Sequence, residues 1–206
     1  MAIKVVAYLQ EGVLSGAVES PEHLRDLLET SDRLAVTGST WTPFDGNQPS
    51  SPGEMAVAID DLVVASGEEE MPGPVHAVFH PIELEAGPYR IRGELATLPG
   101  FDPGRALTRP TGTFVLLNDV RVSLLRDPNA GTATHDRAFV NRYTVDYVDS
   151  ELMLGFFFPG ARMNLPEAPA PPATAPAAPA PAASAPAAPG PAAPGPAAPA
   201  APGQPA

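Results

Sequence analysis

The sequence contains no cysteine. Disulfides, thiolate nucleophiles and cysteine-ligated zinc are therefore excluded. Lysine is nearly absent as well. Lys4 is the only one, and the other eleven basic residues are arginines. Serine–lysine catalysis would have to use Lys4, which alternates with apolar neighbours and reads as a solvated edge charge on a strand. No apolar run approaches the ~18 residues of a membrane span. The first one, Ile3 to Leu9, is seven residues long and meets Gln10-Glu11 at once. That is too short for the core of a secretory signal, and no cleavage pattern follows. The phosphate-cradling glycine loop, the dinucleotide-binding glycine fingerprint and the nucleophile-elbow spacing are all missing. Positive charge is scarce, and the formal net charge is −12. Such a field repels a phosphate backbone and favours basic partners and cations. These absences predict a cytoplasmic protein with no cofactor, no nucleic-acid partner and no membrane partner.

What is present divides sharply after Leu165. Residues 1–165 use the full range of amino acids and hold all twelve basic residues and every acid except Glu167. That length suits one domain with a sizeable core. Residues 166–206 are almost purely Pro, Ala and Gly. Proline blocks helix and sheet, so this stretch is expected to be a disordered polyproline-like spacer reaching about 120 Å.

The body reads as mainly β, with one or two short helices. Ile3, Val5, Ala7 and Leu9 share one face of a first strand, and Val13 to Val18 returns from the turn at Gln10-Glu11-Gly12. Ser20-Pro21 looks like a helix cap followed by proline, and Leu24, Leu27 and Leu28 give a helical stripe over Pro21 to Thr30. A strand over Arg33 to Thr37 leads to a long loop from Ser39 to Glu54. Met55 to Ala65 is the next strand, bent at Asp60-Asp61. The apolar parity flips at Pro81, which predicts a bulge or break between Val75–Phe79 and Ile82–Leu84. Asp102-Pro103 repeats the cap-plus-proline signal, Thr113 to Leu125 is extended, and a final hairpin returns through Leu152 to Phe158.

The two halves, 1–80 and 81–160, look like degenerate copies of a hairpin–helix–strands unit. Gly16-Ala17-Val18 matches Gly93-Glu94-Leu95. Leu34 and Val36 match Phe114 and Leu116. Ile59-Asp60-Asp61-Leu62 matches Leu117-Asn118-Asp119-Val120. The second half also resembles a short β module of uncharacterised bacterial proteins, a domain of unknown function. The residues that carry the likeness are Gly93, Leu95, Arg105, Leu107, Phe114, Leu117, Asp119 and Val120. They cover about thirty residues. The resemblance implies a small β fold and no particular activity.

Few residues offer chemistry. His76 and His80 sit four apart on a strand, about 13 Å from one another, too far to share an ion. His23 falls on a helix surface and His135 in a loop. The acids cluster at Asp60-Asp61, at Glu68-Glu69-Glu70 and at Glu83/Glu85, without a calcium-loop spacing. Trp41 and Phe44 lie in the long Pro/Gly loop. They either anchor a partner or fold back over a sheet end. The reading that follows is a non-catalytic protein-interaction or assembly module on a flexible tether. Its contact residues are Trp41, Phe44, Glu68, Glu69 and Glu70, and its partner is a protein, including a second copy of the chain. Two alternatives stay open: a small-molecule-sensing β domain with a pocket between the halves, and a carboxylate- or metal-assisted hydrolase.

Overall fold

Alternation of β-branched and polar residues produces an almost purely β structure. The computed structural model describes residues 1–69, 76–100, 112–127 and 131–164. The expected Asp102 turn and the Pro/Ala tail lie outside these residues. The strands are β1 (Ala2–Leu9), β2 (Gly12–Glu19), β3 (Arg33–Pro43), β4 (Ser50–Ala58), β5 (Leu62–Glu68), β6 (Val78–Ala86), β7 (Tyr89–Thr97), β8 (Phe114–Leu124), β9 (Ala133–Asn141), β10 (Val145–Asp149) and β11 (Arg162–Asn164). Among the described residues, one helix, α1 (Leu24–Thr30), precedes β3, and a single 3-10 turn (Ile59–Asp61) separates β4 from β5. All eleven strands form one sheet, in the order β11-β10-β6-β7-β8-β9-β5-β1-β2-β3-β4.

The pairing pattern recurs. The order β5-β1-β2-β3-β4 in the first half is matched by β10-β6-β7-β8-β9 in the second. Irregularities recur with it. Ser15↔Thr40 steps to Ala17↔Thr37, and Arg92↔Arg121 steps to Glu94↔Asn118, each adding one residue to the partner strand. The left-handed backbone of Gly38 (φ 56°) and of Asp119 (φ 48°) falls within these two bulges. Glycine takes that conformation freely, and aspartate is among the few other residues that tolerate it. A second bulge lies between Tyr8/Leu9 and Val64/Leu62, and again between Glu85/Ala86 and Tyr147/Val145. Just past each third strand, Phe44 N–H donates to the Glu11 carbonyl and Leu125 N–H to the Pro88 carbonyl, both at 2.9 Å.

This register corrects several residue matches. Val115 and Leu117 are the counterparts of Leu34 and Val36, and all four are buried. Phe114 and Leu116 are one residue out of phase and face the opposite side. Asp119 corresponds to Gly38, whereas Asp60 and Asp61 belong to the turn between β4 and β5. A division at residue 80 cuts through β6, and the recurring order divides the chain before Val78. Pro81 does not break the strand, because β6 pairs with β7 without a register shift over its whole length.

Apolar residues of the central strands point both ways, so two cores lie on opposite faces. Ile3, Val5 and Ala7 pack with Leu14, Leu34, Val57 and Phe139, under Leu24 and Leu28 of α1. Tyr8, Val64, Val115, Leu117 and Val140 pack with Leu84, Tyr89 and Ile91. This second core is closed by Leu154 and Phe158, both fully buried. The expected return strand through Leu152 to Phe158 is therefore a turn-rich cover. The chain regains the sheet only at β11, parallel to β10.

α1 begins at Leu24, not Pro21. Ser20 Oγ accepts from Glu22 N–H at 2.9 Å and closes a turn ahead of the helix. The long loop expected from Ser39 to Glu54 is also shorter. β3 runs on to Pro43 and β4 starts at Ser50, which puts Trp41 inside a strand opposite Leu14 and Ser50.

Candidate functional site

Of the five contact residues read from the sequence, the four that are described do not form one surface. Trp41 is half-buried and packs on the first core. Its ring lies over Gly12, where a Cβ would stand 2.7 Å from it. It covers a sheet end and offers no free anchor. Glu68 is exposed at the end of β5 and pairs with Lys4 at 3.0 Å. Glu69 turns inward, its side chain 5% exposed. Its carboxylate accepts from Leu24 N–H at 3.2 Å and meets His23 Nδ1 at 3.2 Å. It thus satisfies a free donor at the start of α1 that no residue of the helix's own turn reaches. Glu70 lies outside the described residues.

Phe44 sits at a cleft lined by aromatic rings. Its backbone is tied to the β1–β2 turn through Glu11. Its ring meets that of Tyr89 at 5.7 Å, and Tyr89 meets Tyr8 edge-on at 5.3 Å. Tyr8 in turn meets the His135 ring at 5.7 Å. This chain of rings crosses from one half to the other. Its first three rings, Phe44, Tyr89 and Tyr8, border a cleft of about 350 Å³, completed by Val13, Val122, Ser123, Leu124 and residues 131–133. Among the described residues, no carboxylate, arginine or lysine lines it.

The polar ends of the rings are already engaged. Tyr89 Oη donates to the Leu9 carbonyl at 2.6 Å and lies 3.1 Å from that of Gly12, which fixes the second half to the first hairpin. Tyr8 Oη and His135 Nε2 are hydrogen-bonded at 2.6 Å. Burial pushes the Tyr8 phenol up to about 12 and the Tyr89 phenol further in the same direction, so both stay neutral. Burial also pushes the His135 imidazole down, against a smaller upward pull from Asp136. The two neutral phenols present ring edges and faces, with no charge, to the cleft.

His135 belongs to β9 and not to a loop, and His80 is bonded to Thr97 Oγ1 at 3.0 Å. A wider depression of about 550 Å³ carries Lys4, Glu68 and His135, all of which already have partners. Among the described residues, no three His, Asp or Glu side chains converge as metal ligands would. No helix among them is long and apolar enough to cross a membrane.

Tyr8 and Tyr89 are not singled out by the sequence, which places His135 in a loop. Tyr8 and Tyr89 each stand beside a legible turn, but nothing local says that those two turns meet. Compared with protein-family models, with curated proteins and with solved structures, the chain matches none.

Proposed function

We propose that this chain is a non-catalytic interaction module that takes an extended apolar segment of a protein partner into the cleft between its halves. The lining of that cleft carries the reading: aromatic rings from both halves, their polar ends hydrogen-bonded within the protein, and, among the described residues, no ionised side chain. Proline-rich segments suit such a lining. Their rings pack against aromatic faces, and a preformed polyproline helix loses little entropy on docking. Residues 166–206 of the chain share this chemistry, so a second copy falls within the partner class.

The cleft volume favours a second reading, a small-molecule-sensing β domain, because about 300–1,000 Å³ is usual for such sites. A carboxylate-based hydrolase gains no support from a cleft without acids. Calorimetric titration of the full chain with a proline decamer tests the proposal. Phe44→Ala should weaken binding about thirtyfold, the loss of ~2 kcal/mol common at aromatic hot spots. Equal affinity in parent and variant, or no binding by the parent, would contradict it. A naphthalene-sulfonate dye that binds at Phe44 and resists the peptide would favour the sensor.

A further inference from the structure

The two halves are joined by one seam. The fourth strand of the second half, β9, pairs with the fifth strand of the first, β5, through Val140↔Val64 and Phe139↔Ala65. The recurring register supplies the counterpart of each partner. Leu34↔Val57 corresponds to Val115↔Val140, so Val57 and Ala56 of β4 stand where Val140 and Phe139 stand in β9. Tyr8↔Val64 corresponds to Glu85↔Tyr147, so Tyr147 and Val148 of β10 stand where Val64 and Ala65 stand in β5.

The reciprocal seam, β4 with β10, is not made. Among the described residues β4 is the last strand of the sheet, paired only with β3. On the other side, β10 is covered at the two corresponding positions. Tyr147 faces Arg162 and Val148 faces Met163 of β11. That cover is three residues long, parallel, and built from two exposed residues flanking Met163. Parallel pairing is also slightly weaker per residue than antiparallel.

We propose that β4 is a docking edge for a second copy of this chain, which presents its β10 in the register of the internal seam once β11 is displaced. β11 is then a plug against head-to-tail assembly. The contact is heterologous, so repeating it gives a ring or an open array. Pro52 and the left-handed Gly53 (φ 85°) limit the usable part of β4 to Glu54–Ala58, in keeping with the shortness of the seam itself. Ala56, exposed on β4, would come to lie against Val148.

Sedimentation of the full chain over a wide concentration range tests this. The parent should stay monomeric. Met163→Pro, and separately Arg162→Gly with Met163→Gly, should give concentration-dependent dimers and larger species. Adding Ala56→Lys, which sets an ammonium against Val148, should return both to monomers. Monomers throughout, a parent that associates as readily as the variants, or association that survives Ala56→Lys would overturn the proposal. Global unfolding of both β11 variants would overturn it too, by showing β11 to be a staple of the fold.

Discussion

Replacing Gly16 by alanine tests the recurring bulge where it is tightest. A Cβ on Gly16 would stand 2.5 Å from Val36 Cγ1, 2.7 Å from the Thr37 carbonyl oxygen and 3.2 Å from Ser39 Cα. Two of these three atoms are backbone of the paired strand, which cannot turn aside. The counterpart, Gly93, is looser: its Cβ would meet the Asn118 carbonyl oxygen at 3.0 Å and Val120 Cγ2 at 3.3 Å. Two effects compete. Alanine restricts the unfolded chain and is favoured over glycine in a strand by ~0.5–1 kcal/mol. Overpacking a fixed neighbourhood costs ~1–3 kcal/mol. At Gly16 the clash wins, and Gly16→Ala should lose about 1–2 kcal/mol, or roughly 2–8 °C of Tm for a chain of this size. At Gly93 the two nearly cancel, and Gly93→Ala should stay within about 1 kcal/mol of the parent. Thermal melts of both variants by far-UV circular dichroism decide it. A Gly93 variant as damaged as the Gly16 variant would refute the difference in close approach, and with it this account of the bulges.

Glu69→Ala should cost ~1 kcal/mol by freeing the Leu24 N–H at the start of α1, whereas Glu68→Ala should fall within about 0.5 kcal/mol of the parent because its pair with Lys4 is exposed. Urea melts of the two, side by side, would contradict these roles if the order were reversed. The lowered pKa of His135 makes stability pH-dependent: the unfolded imidazole takes up a proton near its ordinary value of 6.5, which the folded one resists. Its contribution is fully present above pH ~6.5 and is lost as pH falls from there towards the lower folded value. His135→Gln should flatten that part of a Tm-against-pH curve, and an unchanged slope would show that His135 does not carry it.

Strand existence was legible from the sequence because alternation is local. Ile3, Val5 and Ala7 needed only their own spacing, and the bend at Asp60-Asp61 needed only its two turn-forming acids. The recurring strand order was harder. Matching by residue type pairs Asp119 with Asp61, because residue type carries no backbone conformation. What the two bulges share is a left-handed φ, which Gly38 and Asp119 meet with different side chains. Glu69 was misread for a similar reason. In sequence it is the middle of an acidic run, yet its partner, the Leu24 amide, is 45 residues away and is brought near only by the pairing of β5 with β1. Trp41 was drawn into a loop by the surrounding Pro and Gly, while the tertiary fact that fixes it is the bare backbone of Gly12. The cleft depends on contacts between the halves: Tyr8 with His135 across 127 residues and Tyr89 with Leu9 across 80. Periodicity carries no information over such distances.

The most direct test of the binding role is an amide NMR titration of the full, isotope-labelled chain with the proline decamer. The account predicts saturable shifts confined to the cleft, at Val13, Phe44, Leu124 and Ala133, with the remote β3–β4 edge at Ala56 unmoved. Shifts centred elsewhere, or a spectrum indifferent to the peptide, would contradict it.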